Sequence, residues 1–137
     1  MLFERYAEVT TTRISICLFT PVMLACVGCG QAPSIVTGSV TKGGQALQVS
    51  EQGDIQIHFI QEENGTMTGQ TFMASIDPSG HFEAEVPAGD YRIAVQQLDP
   101  YPNVDKLKGQ FDQNKTPIKQ SIKGGDTLDI DLSQYEK

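Results

Sequence analysis

The chain has 137 residues, of which 39% are apolar and 20% charged, with no Trp and a formal net charge of −7. This composition fits one folded domain plus a short extra segment and excludes a disordered chain. The acidic balance also excludes a nucleic-acid partner, because phosphate binding needs a basic stripe.

The first element in chain order is a leader. Residues 1–13, MLFERYAEVTTTR, are polar and mixed in charge, and Ile14 to Gly28, ISICLFTPVMLACVG, carry no charge at all. A transmembrane helix needs about 20 apolar residues, so this fifteen-residue run has the length of a signal-peptide hydrophobic region instead. Arg5 and Arg13 precede it, offset by Glu4 and Glu8. The run ends in Ala25-Cys26-Val27-Gly28-Cys29-Gly30, so two of the three cysteines form a C-x-x-C. A zinc site needs further ligands, and no second C-x-x-C or His pair follows, since His58 and His81 stand alone. A redox dithiol belongs beside a βαβ pattern, which is also missing.

The same stretch resembles the lipobox of bacterial lipoproteins, in which a small residue precedes a Cys that is lipidated and becomes the new N-terminus. Two registers fit, with Cys29 after Gly28 or, alternatively, Cys26 after Ala25. Cys29 uses the whole apolar run, although Cys26 then stands where that family usually has Leu. The resemblance implies residues 1–28 as a cleaved signal peptide and 29–34 as lipidated Cys and tether. It implies an exported protein, held on a bacterial membrane through its N-terminal lipid and facing the periplasm or the cell surface. With Cys29 as the anchor, the mature chain has no free thiol and no disulfide.

From Ile35 onward the hydrophobic period is two. Val36, Gly38 and Val40 share a face in the first run. Ile55, Ile57 and Phe59 do so in the second, with Gln56 and His58 opposite. Phe72, Ala74 and Ile76 follow, then Phe82, Ala84 and Val86 with His81, Glu83 and Glu85 opposite. Tyr91, Ile93 and Val95, then Ile118 and Ile122, then Leu128, Ile130 and Leu132 complete the set, with Asp129 and Asp131 opposite the last. Strict alternation over short runs predicts half-buried strands. Turn residues separate them at Lys42-Gly43-Gly44-Gln45, Asn64-Gly65, Asp77-Pro78-Ser79-Gly80, Pro87-Ala88-Gly89-Asp90 and Lys123-Gly124-Gly125-Asp126. The fold class is therefore all-β, a seven-stranded antiparallel sandwich over residues 35–133, with 134–137 as a tail. Asp77 is expected to accept backbone N–H groups across its own turn, closed by Gly80, and Tyr91 to bury its ring while its hydroxyl finds a backbone partner.

The order VTGSVTKGGQAL, GHFEAEVPAGDYRIAV and an alternating strand after KGGD resembles the bacterial carboxypeptidase regulatory-like domain. That resemblance implies a transthyretin-like sandwich, itself Ig-like in layout. Two relatives of that architecture have chemistry this chain does not match. Hydroxyisourate hydrolases need several His and a Tyr-Arg-Gly-Ser end, whereas this chain ends SQYEK. Isopeptide-forming adhesin domains need an Asn that the last predicted strand lacks.

No catalytic residue and no cofactor or metal ligand is assigned. There is no G-x-S-x-G elbow, and His58 and His81 both alternate onto the outward face of a strand, which predicts exposed surface histidines. Glu83/Glu85 and Asp129/Asp131 lie two apart on one solvent face, unlike carboxylates facing across a cleft. Gly124 to Asp131, GGDTLDID, resembles one copy of the calcium-binding β-roll nonapeptide. That motif works in tandem, so the segment is read as a hairpin turn, with weak Ca²⁺ binding at Asp126 and Asp129 as the rival. The longest irregular segment is Gln97 to Pro117, where Asn103 is expected to cap a short helical turn through Lys108. Its apolar residues Tyr101, Leu107 and Phe111 either fold back over a sheet edge or form an exposed lip for a glycan or an envelope protein. The expected function is a non-enzymatic, lipid-anchored envelope module, binding or structural. The alternatives are a carbohydrate-binding module using this loop and, after it, an enzyme accessory domain with His58 or His81 in the site.

Overall fold

A computed structural model describes residues 31–137; Cys26, Cys29 and the leader lie outside the described residues. Eight strands form two four-stranded sheets. They are β1 (Ser34–Lys42), β2 (Gln45–Ala46), β3 (Asp54–Glu63), β4 (Thr66–Ser75), β5 (His81–Val86), β6 (Gly89–Leu98), β7 (Lys119–Ile122) and β8 (Thr127–Asp131). A 3-10 turn, Leu132–Tyr135, closes the chain. All seven expected strands are present, and the two-residue β2 is an addition.

One sheet is built around β1, which pairs antiparallel with β2 and β5 along one edge and parallel with β8 along the other. The second sheet runs β4-β3-β6-β7, all antiparallel. The parallel β1–β8 pair departs from a wholly antiparallel sandwich. It also corrects the reading of Lys123–Asp126 as a hairpin, since this turn carries the chain from one sheet to the other. Asp126 closes it by accepting the Lys123 N–H at 2.7 Å.

Alternation sets which faces meet. Val36 and Val40 of β1, Phe82, Ala84 and Val86 of β5 and Ile130 of β8 pack against Ile55, Ile57 and Phe59 of β3 and Tyr91, Ile93 and Val95 of β6. Phe59 sits between the Phe82 and Tyr91 rings, with centroids at 5.9 and 6.3 Å. The Tyr91 hydroxyl donates to the Pro87 carbonyl at 2.8 Å, so a buried ring keeps its polar group paired, as expected. Burial raises the pKa of that phenol. Gly38 is buried on the same face. A Cβ there would overlap the Leu128 carbonyl oxygen and lie 2.8 Å from Phe82 Cζ, so a side chain at this position would force β1 and β8 apart.

One acid ties two turns together. Asp131 accepts the Gly43 and Gly44 N–H groups at 2.9 and 3.0 Å, and also the Ser133 N–H and hydroxyl. It thereby ties the first β-turn to the terminal 3-10 turn. Residues 134 and 135 are part of that turn and Tyr135 packs against the core, so the tail is shorter than the sequence suggested.

Candidate functional site

The long segment after β6 is where an irregular surface is built, and its own backbone shows how. It continues the β7 side of β6 as a third layer of bonds. Ile93, Val95 and Lys106 N–H groups donate to Ile118, Phe111 and Gln97 carbonyls respectively. Asp105 organises the turn, with Oδ1 accepting from Leu107 and Gln97 N–H at 2.9 and 3.2 Å and Oδ2 from Gly109 N–H at 2.9 Å. No helix forms for Asn103 to cap, and Asp105 holds the turn instead, its two oxygens reaching three donors at once. Leu107 and Phe111 are consequently driven into the core, with Phe111 0% exposed. Neither can belong to an exposed lip, and that part of the ligand-contact expectation is corrected. The fold-back reading describes them.

Tyr101 is different. It is 52% exposed, and Val104 beside it is 45% exposed. Both sit on a braced loop at the end of the sandwich away from the chain's entry at Ser34. Asp99 holds its base, accepting the Ser50 hydroxyl at 2.6 Å and the Ser50 N–H at 3.0 Å. The Ser50 bonds keep the Asp99 carboxyl below its ordinary pKa. The Tyr101 N–H donates to Gln52 and the Asp99 N–H to Val104. The Asp99–Pro100 and Tyr101–Pro102 peptides are cis. The Gln48–Asp54 segment that holds Tyr101 also walls a cleft of about 390 Å³ lined by Leu47, Val49, Ile55, Ile76 and Pro78. An exposed aromatic ring on a braced loop offers a flat surface on which a sugar face or an apolar side chain can stack.

The two histidines separate. His81 is exposed, and its backbone N–H donates to Asp77 at 3.0 Å within a turn where Asp77 also accepts the Ser79 N–H and hydroxyl. Those bonds, the Ser79 hydroxyl first, lower the Asp77 pKa. Gly80 closes the turn at φ 89°. His58 points outward as expected but is only half-exposed, because residues 112–114 lie over this face with Ala94 and Gln96. Its Nε2 is buried without a hydrogen-bond partner, and burial lowers its pKa. The surface reading therefore holds for His81 and fails for His58.

Of the acid pairs, Glu83 and Glu85 are exposed, whereas Asp129 accepts the Ser39 hydroxyl at 2.7 Å and Asp131 forms the brace described above. With Asp126 engaged in its turn and Asp129 on Ser39, the two do not converge on a common point. Among the described residues no three of His, Cys, Asp and Glu cluster as a metal group. One charged cluster escaped the sequence reading. Glu62 is buried on the outer face of β3, with Oε1 2.6 Å from Arg92 Nη2 and Oε2 3.2 Å from Lys119 Nζ. Burial opposes its ionisation, but the bonds from Lys119 and Arg92 outweigh it and hold the carboxyl below its ordinary pKa. The signal in the sequence was weak, since three residues on three strands meet only once the register is known.

No protein-family model matches the chain, and no curated protein does. Among solved structures, a DUF3823 family protein from Parabacteroides merdae ATCC 43184 is similar with a TM-score of 0.44 and 22% identity. The match covers 74% of this chain and 46% of that one, so the chain spans about half the length of that protein.

Proposed function

We propose that the chain is a lipid-anchored protein of a bacterial envelope whose β-sandwich is a non-enzymatic binding or structural module. The observation that carries this is the position of Cys29, at the end of an uncharged run of fifteen residues and five residues before β1. Five extended residues reach at most about 17 Å. An anchor at Cys29 thus holds the Ser34 end near the lipid, and the strands, roughly 30 Å long, carry the Tyr101 end outward. Among the described residues no helix is long and apolar enough to cross a membrane. The structural side of the reading draws on the carboxylates of Asp77, Asp99, Asp105 and Asp131, each of which bonds to backbone N–H groups and so braces a turn. The deciding experiment is the intact mass of the N-terminal peptide from the membrane fraction. A diacylated peptide starting at Cys29 or Cys26 supports the reading and fixes the register. An unmodified peptide keeping both cysteines refutes it.

The exposed Tyr101 favours a second reading, in which the outward end binds a glycan. Titration with cell-wall glycan fragments, with Tyr101→Ala alongside, decides it; saturable binding lost in the variant supports it and an absence of binding ends it.

A further inference from the structure

The edges of the two sheets differ in how they are protected. A free strand edge displays unpaired N–H and C=O groups, and proteins usually blunt it with charge, Pro or a bulge. β5 carries His81, Glu83 and Glu85, β7 carries Lys119, and β8 carries Asp129 and Asp131. β4, TMTGQTFMAS, is ten residues long and contains no charged residue and no Pro. It is the outermost strand of its sheet and is exposed along most of its length. Its one protective device is local. The β3–β4 register shifts between Ile60 and Glu62, where β4 inserts Thr68, Gly69 (φ 87°) and Gln70 against Gln61. The other half, Thr71–Ser75, pairs regularly with β3 and leaves its far edge open.

We propose that this half of β4 is a self-association edge, pairing antiparallel with the same segment of a second copy about a two-fold axis at Met73. In that register Met73 faces Met73 of the other copy, and Thr71 faces Ser75. Met73 is 62% exposed on the outer face, and the pairing covers it. On the inner face Phe72 meets Ala74, two core-flanking residues that are only partly buried in the single chain. Charge selects this edge for a second copy. The chain is acidic as a whole, yet no like charges come opposite one another at β4. The same operation at β5 or β8 sets acids against acids, and like charges opposed across a strand pair are destabilising; β7 is only four residues long, and its Lys119 is tied to Glu62 of its own chain. The result is one continuous eight-stranded sheet made of β7-β6-β3-β4 and its symmetry copy, an isologous contact that closes on itself. Only five residues per copy enter the ladder, so the contact lies below the roughly 1,200 Å² of standard interfaces and the association is reversible.

The test uses the full chain in cells. Met73→Cys places two thiols across the axis at a separation that a disulfide can bridge. Oxidation should give a disulfide-linked homodimer several-fold above Ser121→Cys, an exposed position on β7 that shares the chain's own cysteines. Equal cross-linking in the two variants overturns the proposal, as does an adduct of Met73→Cys whose mass shows a different polypeptide. Sedimentation of the purified chain supplies the second arm. Wild type should dimerise with rising concentration, while Met73→Lys, which opposes two charges at the axis, should stay monomeric with an unchanged melting temperature. A wild type that is monomeric throughout, or a dimer that survives Met73→Lys, also overturns it.

Discussion

Gly38→Ala is the sharpest perturbation of the fold that supports both ends of the molecule. Gly38 lies opposite Leu128 in the parallel β1–β8 pair and opposite Phe82 in the β1–β5 pair. An added methyl would overlap the Leu128 carbonyl oxygen and sit 2.8 Å from both Leu128 C and Phe82 Cζ. Phe82 cannot simply turn aside, because its ring packs on Phe59. β8 must move instead. Overpacking of this kind costs up to about 3 kcal/mol. If β8 peels away, Ile130 and Leu132, now fully buried, begin to expose side chains worth about 1.5–3 kcal/mol each. The expected loss is therefore about 3–5 kcal/mol, against a total of about 5–15 kcal/mol for a domain. At about 4 °C per kcal/mol or more, the melting temperature should fall by at least roughly 12 °C. Thermal and urea unfolding followed by circular dichroism measure this, and hydrogen exchange should show β8 opening first. Gly44→Ala serves as the contrast, since its φ of 78° costs about 1 kcal/mol but nothing lies within 4 Å of the added carbon. A Gly38→Ala protein within about 0.5 kcal/mol of wild type would refute the close-approach argument.

Other outcomes follow from the same geometry. Glu62→Gln should cost about 2 kcal/mol at neutral pH in urea titration, because Arg92 and Lys119 lose a charged partner but keep access to water. The Glu62 carboxyl is held below its ordinary pKa of 4.5, so its contribution is complete above that value and disappears as pH falls through the lower folded-state pKa. Asp77, Asp99 and Asp131 shift in the same direction, so wild type should lose stability steadily in acid, and Glu62→Gln should show a shallower acid slope. Asp105→Ala leaves three N–H groups without an acceptor and should cost about 2–3 kcal/mol, with limited proteolysis cutting first between residues 99 and 117. Tyr91→Phe removes one buried hydrogen bond and should cost about 1 kcal/mol in the same unfolding assay.

What the sequence disclosed and what it hid have one physical cause. Alternation reports which side of a strand faces the core, because each strand in a two-layer fold has one wet face and one dry face. That is why Val36/Val40, Ile55/Ile57/Phe59 and Ile130 were legible, and why Asp77 and Tyr91 kept the bonding roles their turn chemistry implied. Alternation does not say which strand lies alongside, so the parallel β1–β8 pair stayed hidden. A two-residue strand such as β2 is too short to show any period. Nor does alternation say whether another segment lies over the outer face. On this outer side Ala94 of β6 is buried and His58 of β3 is half-covered, because residues 112–114 return beside them.

The same limit explains the candidate site. In the 97–117 segment there is no period to read, so Tyr101, Leu107 and Phe111 looked alike as apolar residues in a loop. Asp105 separates them. Its three N–H acceptances turn the chain inward at Leu107, and the Val95–Phe111 backbone bond then sets Phe111 beside the core. Tyr101 lies before that turn, where the backbone is held to Gln52, within the loop between Asp99 and Val104, and through the Asp99 side chain to Ser50. Those contacts hold its backbone and leave its ring outside. An exposed aromatic on a held backbone binds with a lower ordering cost, because the loop itself need not be immobilised. That distinguishes Tyr101 from an apolar residue on an unbraced loop, and it is the physical ground for testing this position before any other at the end of the sandwich far from Ser34.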